Sequence, residues 1–236
     1  MLLKTGYIGL SLLMAIILII IGFKAIDKDD KKKKTALVLG LFFWQTYIYF
    51  VASSGILLDY NFPPKFVLFL IFPAFLFTGI FLFINRNKDW IQRIPRHWLI
   101  YYQTFRIGIE TLFVYSVAAG ILHYHVTIEG YNYDMVFAIT APIIAYLVFQ
   151  KKTLSKKYIV WWNYLGLLVI ASIIFVFLST TYMPQLYGSD TMLLPQDFGQ
   201  YPYMLVPGFL MPSAVFIHIL SLLQHVKDNN TNSYNN

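Results

Sequence analysis

Seven long apolar segments dominate this 236-residue sequence. Each has about 19–25 residues, the length that an α-helix needs to cross the hydrocarbon core of a bilayer. A backbone in lipid must satisfy its own hydrogen bonds, and the sequence lacks the short alternating strands of a membrane β-barrel. The pattern therefore predicts an all-α, polytopic membrane bundle of about seven transmembrane helices. The segments are 7–26, 36–58, 64–84, 99–122, 132–150, 158–182 and 202–223.

The composition agrees with a membrane bundle. Hydrophobic residues make up 58% of the chain and charged residues only 12%, whereas an average soluble domain is about 25% charged. No polar stretch exceeds roughly twenty residues, so we expect a single transmembrane domain over 1–227 and a disordered cytoplasmic tail over 228–236. The chain has no cysteine, which excludes disulfides, thiolate metal sites and cysteine nucleophiles.

The positive charges predict the orientation of the bundle. With seven helices, fifteen of the 18 Lys and Arg residues fall in the first, third and fifth loops, at the end of the first segment or beside the C-terminus. Positively charged loops stay in the cytoplasm, so we expect the N-terminus outside and the C-terminus inside. Topology thus explains the net charge of +7. The expected partner is the lipid bilayer, no nucleic acid is expected, and the sequence names no protein partner.

Polar residues inside the apolar segments are the first candidate site, because such residues are costly in hydrocarbon. Arg106 and Glu110 lie four residues apart, so they share a helix face and can pair. With a rise of about 1.5 Å per residue, the candidates fall in the cytoplasmic half of the bundle. They either converge on one polar cavity or form separate hydrogen bonds between helices. The candidates are Gln45, Gln103, Arg106, Glu110, Asn163 and His218.

The predicted outer loop HYHVTIEGYNYD holds a second group of candidates, which are His123, His125, Glu129, Asn132 and Asp134. Two histidines and two acids could hold a divalent metal. The spacing matches no standard zinc signature, however, so we expect no metal. We interpret the loop as a structured hairpin in which Gly130 makes the turn and Asp134 caps the next helix.

Two stretches carry a family resemblance: FRIGIETLFVY at 105–115 and VTIEGYNYDMVFAITAP at 126–142. They resemble a family of small bacterial integral membrane proteins in which a T-(F/I)-E-G-x-N-(F/Y)-D loop lies between two hydrophobic helices. That family has no assigned activity, so the resemblance implies a multi-pass protein of the bacterial cytoplasmic membrane and adds no cofactor. It directs attention to Arg106, Glu110, Glu129, Asn132 and Asp134.

Three classes of function stay open on the sequence alone. The favoured one is a transporter of a small solute, ion or proton, in which Arg106 holds an anionic group and Glu110 titrates. The second is a sensor or assembly protein that binds a ligand or partner through its outer loops. The third is an intramembrane enzyme with Glu110 or His218 as general base. No catalytic residue is assigned, since the P-loop, dinucleotide-binding, HExxH and GxSxG motifs are absent.

Overall fold

A computed structural model describes residues 1–233, with side chains through His225, and this part of the chain is all-helical. Of the tail predicted to be disordered, 228–236, residues 228–233 continue the last helix, and residues 234–236 lie outside the described part of the chain. Eight α-helices lie in the described part: Leu2–Ala25 (α1), Lys31–Ser53 (α2), Phe72–Asn85 (α3), Arg96–Tyr102 (α4), Arg106–Ala118 (α5), Asp134–Ala145 (α6), Lys157–Tyr182 (α7) and Met211–Ser233 (α8).

The helices confirm a multi-pass helical membrane protein. In the described part of the chain, five helices are long and apolar enough to cross a membrane. The other two predicted spans differ from this pattern: Asp134–Gln150 is shorter, and a 3₁₀ turn at Gln103–Phe105 separates α4 from α5. The five long helices are Leu2–Ala25, Lys31–Ser53, Val67–Asn85, Lys157–Tyr182 and Val206–His225.

Prolines widen the backbone turns near the start of two spans. A proline has no N–H, so the carbonyl four residues before it loses its helical partner. Side chains of α2 bind both of the carbonyls released in this way. The Tyr47 hydroxyl donates to Phe69 O at 2.8 Å, four residues before Pro73, and Trp44 Nε1 donates to Gly208 O at 2.9 Å, four residues before Pro212. The π-type turns at these places are Val67–Ile71 and Val206–Leu210.

Helix α8 lies at the centre of the bundle. The span Val206–His225 is 67% buried, compared with 11–33% for the other four long spans. It packs against α7, α4 and α3. The outer helices expose large apolar side chains such as Phe42 and Leu168, which suits contact with lipid tails. Polar groups on α8 are therefore enclosed by other helices rather than by lipid.

Candidate functional site

An ion pair between Arg106 and Asp134 lies inside the bundle. Arg106 begins α5 and Asp134 begins α6, and their side chains are only 2% and 9% exposed. Arg106 Nη2 donates to Asp134 Oδ1, and its guanidinium carbon lies 5.0 Å from the centre of the Phe137 ring. A buried charge requires a partner of opposite sign. Each of these two residues supplies that partner for the other.

Two predictions about these charges are wrong. Arg106 does not pair with Glu110, because the Glu110 carboxylate accepts hydrogen bonds from the Ile128 backbone N–H at 2.5 Å and from Asn132 Nδ2 at 2.8 Å. Asp134 does not cap α6 either: its carboxylate turns to Arg106, and Tyr133 holds the cap position without a side-chain bond. The spacing of Arg106 and Glu110 permits a contact, but the loop before α6 supplies the partners of Glu110, and the first residue of α6 is the partner of Arg106.

Part of that loop, which lies between α5 and α6, turns into the bundle, while other residues of the loop stay exposed. Its buried backbone must find hydrogen-bond partners within the protein. The Thr127 carbonyl accepts the N–H groups of Gly130 and Asn132 at 2.9 and 3.1 Å. A Cβ on Gly130 would lie 2.4 Å from His125 Cα, so the tight turn requires glycine. Loop residues at most 8% exposed include His125, Val126, Thr127 and Asn132.

Asn132 connects the loop to both acids. Its Nδ2 donates to Glu110 Oε2 and to Val126 O at 2.8 and 3.0 Å, and its Oδ1 accepts the Asp134 backbone N–H at 2.9 Å. Both of its polar atoms are therefore engaged, and exchanging oxygen and nitrogen would break all three bonds. Hydrogen bonds thus run from Glu110 through Asn132 to Asp134 and on to Arg106.

His218 extends this set of hydrogen bonds on the side of Arg106 opposite Asp134. Arg106 Nη1 lies 3.4 Å from His218 Nε2, and His218 Nδ1 lies 2.8 Å from Asn163 Oδ1. Asn163 Nδ2 donates to Ile159 O and to Ser221 Oγ, which leaves Oδ1 as an acceptor. His218 Nδ1 must then carry the proton, and Nε2 offers its lone pair to Arg106. The imidazole is neutral in this arrangement.

Close packing of α7 against α8 holds His218 in place. A Cβ on Gly166 would lie 2.4 Å from His218 Cε1, so only glycine leaves room for the ring. The Trp162 and Phe137 rings stack 4.6 Å apart, and their centres lie 5.4 and 6.0 Å from that of His218. These neighbours enclose the imidazole beside Arg106. We name the whole hydrogen-bonded set the buried network: Glu110, Asn132, Asp134, Arg106, His218, Asn163 and Ser221.

The buried network includes some of the predicted helical residues and leaves others apart. Gln103 lies beside it and donates to Ala214 O at 3.0 Å. Gln45 is separate, because its Oε1 accepts from Ser11 on α1 at 3.3 Å. Ser221 was missed in the sequence, although its position three residues after His218 places both on one helix face. No spacing or motif in the sequence predicts the contact between Asp134 and Arg106, which lie 28 positions apart.

The histidines of the loop lie in an aromatic group at one end of the bundle. The His123 and His125 rings are 4.6 Å apart, and that of His125 lies 5.3 Å from Tyr131 and 4.8 Å from Tyr187. Burial lowers the pKa of His125, and burial together with the adjacent His125 lowers the pKa of His123. Both imidazoles therefore favour the neutral form.

The loop does not bring its histidines and acids together. Glu129 is exposed to solvent, whereas Asp134 is turned inward to Arg106. Among the residues that the structure describes, no group of three or more His, Cys, Asp or Glu side chains could hold a metal ion. The histidines therefore lie among aromatic rings, Glu129 faces solvent, and Asp134 faces Arg106 inside the bundle.

A cavity of about 80 Å³ lies against the ion pair. Arg106, Asn132 and Asp134 form its polar end. Apolar side chains of α5, α7, α8 and the segments between helices make up nearly all the rest of the wall. Among them are Ile109, Phe113, Ile174, Phe177, Met211 and Ala214.

These features define a multi-pass helical membrane protein with an ion pair and an apolar cavity inside its bundle. No protein-family model matches the chain, and neither the curated proteins nor the solved structures include a match.

Proposed function

We propose that the protein is a small-solute transporter of a bacterial cytoplasmic membrane. The observation that carries the proposal is the cavity beside Arg106, Asn132 and Asp134. Protein interiors are otherwise close-packed, and ionisable residues inside a membrane bundle typically mark a substrate pathway. A solute held in this cavity would contact all three polar side chains.

The geometry favours a solute over a proton as the transported species. A proton relay along the buried network would have to pass through Arg106, and a guanidinium does not give up its proton in proteins. It would also pass through Asn132, whose amide does not titrate. The network is thus better suited to holding the cavity wall in one arrangement than to conducting protons.

The proposal includes seven spans, with the N-terminus outside and the C-terminus in the cytoplasm. Support comes from the basic loops and from the resemblance to bacterial membrane proteins. The cysteine-free chain allows a direct test with Glu129→Cys and Lys151→Cys, both at exposed positions. A membrane-impermeant maleimide added to intact cells should label Glu129→Cys and spare Lys151→Cys. The reverse pattern would invert the topology.

A sensor is the second candidate, and one connection favours it. The loop that exposes Tyr124 and Tyr131 also supplies the Ile128 N–H and the Asn132 amide to Glu110. A ligand that displaced the exposed part of the loop would disturb those hydrogen bonds inside the bundle. Aqueous access distinguishes the two candidates: the cavity of a transporter must open to water, whereas this sensor does not require such an opening.

Cysteine accessibility tests for that opening. Ile109→Cys places a thiol on the cavity wall, and Leu168→Cys places one on α7 at a position 65% exposed toward lipid. A membrane-impermeant, positively charged methanethiosulfonate should modify Ile109→Cys from at least one aqueous side and leave Leu168→Cys unmodified. If a folded Ile109→Cys variant reacts from neither side, the transporter proposal fails.

A further inference from the structure

We infer that Trp44 and Tyr47 of α2 act together as a clasp, which couples two π-type turns of the bundle and controls entry to the cavity. The two turns are Val67–Ile71, which leads into α3, and Val206–Leu210, which leads into α8. Control of entry rests on the proposed function, whereas the coupling of the two turns is independent of it.

The two side chains of the clasp form one unit. Trp44 and Tyr47 lie three residues apart, so they share one face of α2. Their rings stack with centres 5.2 Å apart and planes inclined by 26°. Trp44 donates to Gly208 O in one turn, and Tyr47 donates to Phe69 O in the other. A shift of either ring would therefore disturb the hydrogen bond that the other ring makes.

Both turns depend on donors from α2. Each acceptor is a carbonyl that a proline has deprived of its helical N–H partner. A carbonyl left free at membrane depth finds no water to replace that partner, so losing the donor is costly. The span Lys31–Ser53 is only 11% buried, the lowest value among the five long spans. Of these spans, α2 is thus the one whose movement would expose the least buried surface.

Both turns also border the cavity. Phe66 and Ile71 at the first turn, and Val206 and Pro207 in the second, belong to its wall. The two turns pack against each other, so the spans that follow them run side by side in the same direction. A helix bends most readily where a proline interrupts its hydrogen bonds. Bending at either turn would move part of the wall, and the clasp opposes that movement at both turns together.

Tyr47→Phe tests the coupling, because it removes one oxygen and keeps the ring. Hydrogen–deuterium exchange in nanodiscs should become about fivefold faster in the peptide that contains Val67–Ile71, as expected for the loss of one hydrogen bond. Exchange should also accelerate in the peptide that contains Val206–Leu210, although the carbonyl of that turn binds Trp44. Acceleration in the first turn alone, or in neither turn, would overturn the clasp.

Tyr49→Phe is the matched control, since it makes the same substitution on α2 at a position that is 47% exposed. Both turns should exchange at the wild-type rate in this variant, and acceleration equal to that in Tyr47→Phe would contradict the inference. Trp44→Phe removes the other donor and should accelerate exchange in both turns. If Trp44→Phe does not fold, the comparison of Tyr47→Phe with Tyr49→Phe decides.

The thiol of Ile109→Cys reports on entry to the cavity. Adding Tyr47→Phe should raise its rate of modification by the charged methanethiosulfonate about fivefold, and adding Tyr49→Phe should leave the rate unchanged. Equal rates in the two backgrounds would overturn control of entry. If Ile109→Cys reacts from neither side, the transporter proposal fails, but exchange in the two turns still decides whether the clasp couples them.

Discussion

The Arg106 guanidinium donates to the carboxylate of Asp134, which is the first residue of α6. A carboxylate at a helix N-terminus is also stabilised by the helix dipole. Two independent effects therefore favour a charged Asp134 in a position only 9% exposed. The same contact fixes the loop between α5 and α6 against the wall of the cavity.

Replacing Asp134 should strongly destabilise the protein. Asp134→Asn keeps the size of the side chain but leaves the Arg106 charge buried without a counter-charge, which costs about 3–5 kcal/mol when one partner of a buried pair is removed. Thermal melting in detergent, followed by size-exclusion chromatography, should show a large loss of folded protein at temperatures that the wild type survives.

Glu129→Gln is the matched control for this change, since it also replaces an acid by its amide, at an exposed position in the loop that precedes α6. It should alter stability by less than about 0.5 kcal/mol. The double variant Arg106→Gln/Asp134→Asn removes both charges and should regain part of the stability lost in Asp134→Asn. Equal stability of Asp134→Asn and the wild type would show that the pair is not formed.

A methyl group on Gly166 should displace His218. The added Cβ would lie 2.4 Å from His218 Cε1 and 2.8 Å from Phe137 Cζ, and overpacking of this kind costs about 1–3 kcal/mol. Gly79→Ala, in α3, is the control because nothing lies within 4 Å of its Cβ. There the better helix propensity of alanine should leave stability unchanged or raise it by up to about 1 kcal/mol. The measurement is the melting temperature of both variants. If Gly166→Ala melts at the same temperature as the wild type, α7 and α8 are further apart than the structure shows.

Glu110→Gln should loosen the loop without unfolding the bundle. Both Glu110 oxygens accept hydrogen bonds, from Ile128 N–H and from Asn132, whereas glutamine offers one acceptor and one donor group. One loop donor then lacks a partner, at a cost of about 1–3 kcal/mol. Hydrogen–deuterium exchange of the peptide that contains Ile128 should become about tenfold faster, which corresponds to about 1.4 kcal/mol.

Thr111→Val is the control for that exchange experiment. Thr111 is the next residue on α5, but its hydroxyl donates only to Ile107 O on the same helix. Exchange of the Ile128 peptide should stay at the wild-type rate in this variant. Unchanged exchange in Glu110→Gln as well would argue that the loop does not depend on Glu110.

Acid should weaken the part of the loop that holds His123. Burial and the adjacent His125 lower the pKa of His123 below its ordinary value, which is about 6.5. The unfolded chain then binds the proton at a higher pH than the folded chain. The stability that the neutral imidazole contributes is complete above about pH 6.5 and is lost as the pH falls through the folded pKa. Between about pH 7.5 and pH 5, the melting temperature of the wild type should therefore fall more steeply than that of His123→Gln. Parallel curves would rule out His123 as the cause.

The apolar spans could be predicted because the thickness of the hydrocarbon core limits their length. The segment predicted over 158–182 is observed at Lys157–Tyr182, and the one over 7–26 at Leu2–Ala25. The break between α4 and α5 was not foreseen, since Gln103–Phe105 contains neither proline nor glycine to mark it.

The course of the loop could not be read from the sequence. Its polar composition is typical of a surface loop, and no periodicity relates residues that lie on different elements. The pairing of Asp134 with Arg106 spans 28 positions, and Ile128 contributes through its backbone N–H, which any residue except proline would provide. The resemblance over 126–142 drew attention to Asn132. The structure explains why an amide is required there, because Nδ2 donates to Glu110 and Val126 while Oδ1 accepts from the Asp134 backbone.

A map of the protein in nanodiscs, at a resolution that shows side chains and bound molecules, would show directly whether Arg106 pairs with Asp134 beside an open cavity. Arg106 should contact Asp134, and the cavity beside Arg106, Asn132 and Asp134 should stay free of protein side chains and hold non-protein density. A map in which neighbouring side chains fill this space, or in which Arg106 turns away from Asp134, would contradict this prediction.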